Sequence, residues 1–270
     1  MNTRTTLFTA ASLLALASLA LTTTPVRADE LLSNGGFETG DFTGWTLKNL
    51  ATGDPSGTFA IGNNLIDTNL TPNSPATPIA ELASLGAKSG SFYAVSDSLG
   101  PGTHLLLQSF TLPSATNVAH ISWDMFVNDW YGAGALNGNG PLDHAQIDGQ
   151  LNLIPTQFAR VDLLAGNADA YDVGAGVIQT LYNGVDGGIP ANDYTHYSAI
   201  LSNLTAGATY QLRFAEVDNQ FSLNQGVDNI SVDAVTPEPG TLGLFLGMGI
   251  TATAALGSRM CRRRTLRMKP

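Results

Sequence analysis

The stretch Ile121-Ser122-Trp123-Asp124-Met125-Phe126-Val127 sets large apolar side chains at every second position: Ile121, Trp123, Met125 and Val127. A period of two belongs to a β-strand, whose successive side chains point to opposite faces of a sheet. The alternation recurs downstream. Tyr210, Leu212 and Phe214 alternate with Gln211, Arg213 and Ala215, and Ile230, Val232 and Ala234 alternate with Asn229, Ser231 and Asp233. Each segment reads as a strand with one face in a core and one in water. Further β-prone runs stand at 92–96, 104–112, 157–164, 178–182, 194–201 and around 45–47. Gly, Asn, Asp, Ser and Thr punctuate them about every eight to twelve residues, a spacing that predicts an all-β sandwich or barrel. One short helix is expected at 79–85. Residues 67–78, with Pro72, Pro75 and Pro78, and the glycine-rich 132–140 read as loops, because proline cannot donate to a central ladder.

The two ends of the chain have another character. Arg4 precedes an uncharged apolar run over 7–21, and Val26-Arg27-Ala28 offers small residues at the positions signal peptidase reads. Residues 1–28 therefore read as a secretory signal peptide, cleaved after Ala28. At the other end, Thr236-Pro237-Glu238-Pro239-Gly240 leads into 241–257, which holds no charged residue. As a transmembrane helix this segment is roughly 26 Å long, the short limit for spanning a bilayer. The basic end 259–270 follows, with Arg262, Arg263 and Arg264 as a membrane stop held in the cytoplasm by the positive-inside rule.

This order of Pro237-Glu238-Pro239, apolar span and basic end resembles the sorting tail of bacterial PEP-CTERM proteins. Thr236 departs from the Val many members carry, and the basic tail is longer than usual. The resemblance implies an exosortase-type membrane protease as partner and transient anchoring in the inner membrane of a Gram-negative bacterium. The implied destination is the cell surface or an extracellular polysaccharide or biofilm matrix. An ordinary single-span anchor behind a Pro-rich linker is the alternative reading.

Between those ends, over 29–235, lies the working body. Over Asp29 to Glu238, against 22 acidic residues stand four basic ones, Lys48, Lys88, Arg160 and Arg213, a net charge of −18 for that range. Such a surface excludes nucleic acid and anionic lipid, which need clustered cations. It suits divalent cations or neutral polymers. The only cysteine, Cys261, lies in the tail, so neither a disulfide nor a zinc–thiolate site is available to the body.

The opening Asn34-Gly35-Gly36-Phe37-Glu38, followed by Gly44-Trp45, and the closing Gly226-Val227-Asp228-Asn229-Ile230-Ser231-Val232 resemble the two ends of galactose-binding-like jelly-roll domains of carbohydrate-binding modules. The resemblance implies a jelly-roll β-sandwich in which Gly35 and Gly36 permit a tight turn, Phe37 enters the core and Trp45 closes one end. It also implies a structural Ca²⁺ held by Glu38 and Asp228, with Asn34 and Gly36 as carbonyl donors. The other reading of Glu38 and Asp228 is that they accept backbone hydrogen bonds in turns.

For ligand contact the candidates are Asn128, Asp129, Trp130 and Tyr131, just after a strand and before the glycine-rich loop. Aromatic rings stack on pyranose faces while neighbouring amides and carboxylates take hydroxyls. The same aromatics are equally suited to packing on the sandwich edge. Asp143 and Asp148 read either as a second cation site or as solubilising charge. Catalytic signatures are sparse. His104, His120, His144 and His196 are scattered, and Gly-x-Ser-x-Gly is absent. Glu216 and Asp218, sharing one strand face, are the one carboxylate pair a glycosidase would use. The expectation is a non-catalytic, exported, glycan- or matrix-associated β-sandwich. The alternatives are a structural acidic surface protein without a ligand, and a polysaccharide-active enzyme.

Overall fold

The computed structural model describes residues 29–130, 132, 134–185, 193–220 and 223–235. The signal segment 1–28, the motif Pro237-Glu238-Pro239, the span 241–257, Arg262, Arg263, Arg264 and Tyr131 lie outside them. Among the described residues every regular element is a strand, and no helix is long and apolar enough to cross a membrane.

The strands are β1 (Asp29–Glu30), β2 (Thr46–Asn49), β3 (Thr58–Asn63), β4 (Ile66–Asp67), β5 (Ser74–Pro75), β6 (Phe92–Asp97) and β7 (Gly102–Thr111). After these come β8 (Ala119–Asp129), β9 (Gln157–Ala165), β10 (Val177–Gly184), β11 (Thr195–Leu201), β12 (Thr209–Asp218) and β13 (Leu223–Ala234). One sheet runs β11-β8-β13-β6-β3, with β1 added to β13; the other runs β10-β9-β12-β7-β2. All pairings are antiparallel. From β6 onward the chain changes sheet at every step except the β9–β10 hairpin, the winding of a double-sheet jelly roll.

The predicted face of β8 is the sandwich interior. Ile121, Trp123, Met125 and Val127 are buried there with Leu106, Phe110, Val161, Leu163, Leu212, Phe214, Val227 and Val232. Trp123 and Phe214, from opposite sheets, meet edge-on with ring centres 6.2 Å apart. These side chains lose their water on both sides, and that burial is the main force joining the sheets.

The expectation that the second face of each strand meets water does not hold. On β12, Arg213, Ala215 and Val217 are buried, covered with Leu105, Leu107, Phe158 and Leu164 by Leu142 and residues 168–177. Arg213 tolerates this position because Asp162 accepts its Nη2–H at 2.6 Å and the carbonyls of Ala170 and Asp172 accept from Nη1. Arg160 donates from Nε to the same Asp162 carboxylate. A buried charge needs such partners; Nη1 and Nη2 of Arg213 have them, and its Nε has none.

The helix expected at 79–85 is absent. Asp97 Oδ2 captures the amides of Ile79 and Ala80, while Thr77 N–H donates to Leu82 O and Ser84 N–H to Pro75 O. This closes a hairpin instead, in a stretch too short to sustain a helix against a buried carboxylate offering those bonds. The proline-rich 67–78 segment is a surface excursion as expected, with a two-residue ladder between β4 and β5.

Candidate functional site

At one end of the sandwich the first turn docks on β13. Asn34 and Phe37 adopt left-handed backbone, φ 53° and 58°. Gly35 serves close approach rather than a special φ: a Cβ there would stand 1.9 Å from Ile230 O, and Ile230 N–H donates to Gly35 O at 2.9 Å. Phe37 is fully buried against Phe42 and Trp45, and Trp45 lies against Phe214. The sequence reading of Phe37 as a core residue and Trp45 as the closing residue is met.

Glu38 and Asp228 come together over the loop that enters β6. Glu38 Oε1 accepts the amides of Ser91 at 3.0 Å and Phe92 at 3.1 Å; Asp228 Oδ2 accepts that of Ser89 at 3.0 Å. Burial, and then the negative charge of Glu38, push the Asp228 carboxyl up to about 6. Asn229, in left-handed backbone at the bulge of β13, accepts from Ser89 Oγ and donates to Asp124.

As a cation site the arrangement fits in part. Glu38 and Asp228 supply hard oxygens of like charge at one spot, and Gly36 borders Asp228. Asn34 does not fit. Its carbonyl already accepts from Phe37 N–H and Trp45 Nε1–H, so it faces the core. Among the described residues no three Asp, Glu, His or Cys groups converge as a metal set.

The ligand residues read from the sequence lie at the opposite end of β6, where Asn224 Nδ2 donates to Ser96 O. Asn128 and Asp129 are buried, not on a rim. Asp129 accepts the amides of Gly132 and Gly134 and so shapes the glycine-rich loop. Trp130 is half-buried, its indole N–H donated to Asn224 Oδ1 at 2.9 Å. His144 is a buried clamp on Thr103. Asp143 and Asp148 each cap a turn through backbone amides.

Inside the sandwich at this end, Glu216 on β12 stands directly across from His104 on β7, with Oε2 and Nε2 4.0 Å apart. Asn49 Oδ1 bonds His104 Nδ1 at 3.1 Å. Burial drives Glu216 well above the usual carboxylate range and His104 down to about 4. His104 Nε2, Gln157 Oε1 and Gln225 Oε1 have no hydrogen-bond partner. The pairing of Glu216 with Asp218 on one strand face was visible in the sequence. Their enclosure was not, since it depends on β2, β7 and β9 closing around them. A scattered histidine gives no sign of its cross-strand partner.

No family model matches the chain, and no curated protein matches it. Several solved structures share its general path. A carbohydrate-binding module, TmCBM61, solved with beta-1,4-galactotriose, is 10% identical over 76% of this chain and 98% of its own, with a TM-score of 0.42. The Stig cyclase Fisc from Fischerella sp. TAU is 16% identical over 78% of this chain and 100% of its own, with a TM-score of 0.44. The CBM22-1 xylan-binding domain of Paenibacillus barcinonensis Xyn10C is 14% identical over 78% and 97%, with a TM-score of 0.35. At such scores these likenesses carry no argument; the sandwich is established by its own ladders.

Proposed function

We propose that this chain is an exported, non-catalytic β-sandwich that associates with glycan at the cell surface or in an extracellular polysaccharide matrix. The observation that carries the reading is Trp130. Its half-buried indole is fixed in orientation by Asn224, beside a loop whose amides Asp129 holds. A pre-set aromatic plane next to a polar loop suits the apolar face of a sugar ring. On glycan arrays the protein retains a glycan, and Trp130→Ala lowers its affinity by about tenfold or more, the size of a central aromatic contact. Retention unchanged in that variant removes Trp130 from the reading.

A second reading, an acidic structural surface protein, is favoured by the burial of Arg160 and Arg213, which leaves Lys48 and Lys88 as the exposed cations of residues 29–235. It stands if no glycan is retained. Export by residues 1–28 and exosortase-type processing at Pro237-Glu238-Pro239 belong to the proposal. Replacing those three residues with alanine makes a full-length membrane-bound form accumulate on a cell-fraction immunoblot; normal release refutes the sorting role. Calcium between Glu38 and Asp228 is likewise proposed, as a structural ion only.

A further inference from the structure

A cleft of about 340 Å³ opens between the end of β3 and the start of β6, lined by Asn63, Asn64, Leu65, Ser91 and Phe92. It lies at the Glu38 end of the sandwich, the far end of β6 from Trp130. Its volume is within the range of small-ligand sites. Its apolar surface comes from Phe92, half-buried, and Leu65, which is 77% exposed and has no core contact to explain it. Three polar residues border that surface.

The walls are held rigid from behind. Asn64 donates from Nδ2 to Gly90 O at 3.1 Å and accepts Ala87 N–H at 2.7 Å, bridging the 87–90 loop. Asn63 Oδ1 accepts Leu65 N–H, fixing the turn that carries Leu65. Glu38 holds the amides of Ser91 and Phe92, and Gly40 lies against the Phe92 ring, where a Cβ would stand 3.5 Å from Cζ. A cleft whose walls are already ordered loses little entropy when filled.

We infer that this cleft is a second sugar-contact site, taking a neutral pyranose with Phe92 and Leu65 against its C–H face and the side chains of Asn63 and Ser91 at its hydroxyls. The inference rests on the glycan reading above. Neutrality follows from charge: the carboxylate of Glu38 backs the wall, and Lys88, the nearby cation, lies 5.8 Å over the Tyr194 ring. An acidic sugar meets repulsion there without compensation.

The test is saturation-transfer NMR on the full chain in detergent, with methyl β-galactopyranoside, methyl β-glucopyranoside and galacturonate as probes. A neutral glycoside receives saturation and galacturonate does not. In a Trp130→Ala background, where the cleft is the remaining sugar site of the proposal, a neutral glycoside still receives saturation, and adding Phe92→Ala or Leu65→Asp weakens it by about tenfold. Leu65→Asp alters an exposed side chain, so the result does not depend on whether Phe92→Ala folds. A glycoside signal insensitive to Leu65→Asp but lost in Trp130→Ala overturns the cleft and leaves the glycan reading intact. No signal from any neutral probe also overturns the cleft, while the arrays judge the wider reading separately.

Discussion

At the scale of single residues, Glu216 and His104 are two buried titratable groups facing each other inside the sandwich. For Glu216 the folded pKa lies above its ordinary 4.5, so its contribution to stability is complete below about pH 4.5 and is lost as pH rises toward the folded value. For His104 the folded value of about 4 lies below 6.5, so its contribution is complete above pH 6.5 and is lost as pH falls toward 4. Glu216→Gln removes the first loss and offers an amide N–H to His104 Nε2. The variant therefore melts higher than wild type at pH 8, by roughly 3–6 °C for a gain of about 1–2 kcal/mol, and the difference vanishes near pH 4.5. Thermal melts by circular dichroism across pH 4–9 check this; a lower melting temperature at pH 8 contradicts it. The sequence showed the Glu216–Asp218 pairing because a period of two is local. It hid the burial because β7 and β9, which enclose the pair, are distant in the chain.

At the scale of elements, the junction of the first turn with β13 depends on one hydrogen atom. Gly35→Ala drives a methyl into Ile230 O and costs about 3 kcal/mol, read as a lower urea midpoint with unchanged slope. Gly36→Ala, whose Cβ meets nothing nearer than 3.7 Å, stays within about 1 kcal/mol of wild type. Equal losses in the two variants disprove the close-approach account. The long strands β8, β12 and β13 were legible because their large apolar residues alternate, and β7 and β9 as β-prone runs between turn residues. The strand β3 was not: Thr58-Phe59-Ala60-Ile61-Gly62-Asn63 carries only two large apolar side chains and a glycine, whose Cβ would strike Tyr93. The helix expected at 79–85 failed because Asp97, on another element, outbids local propensity for the Ile79 and Ala80 amides. The outer cover of β12 was hidden for a similar reason. It hangs on Arg213 reaching Asp162, a pairing that no spacing pattern encodes.

At the scale of the whole molecule, the two chain ends of the sandwich meet where Glu38 and Asp228 face one loop. A calcium ion bound there links the opening turn to the last strand and adds stability by mass action. Millimolar calcium raises the melting temperature and chelation lowers it by several degrees; unfolding unchanged by EDTA ends the calcium proposal. The cleft of Asn63, Leu65 and Phe92 lay beyond sequence reading altogether, since it exists only where β3 and β6 pair.

The salt-bridged burial of Arg160 and Arg213 also governs how this body meets a protease. Trypsin-like proteases cut after lysine or arginine, and residues 29–235 offer them only four such points. Arg213 is sealed beneath the 168–177 cover, Arg160 is buried against Asp162 and Thr180, and Lys48 is knitted into β2, so Lys88 in its loop is the one convenient place to nick residues 29–235. An anionic exterior thus comes with digestion resistance.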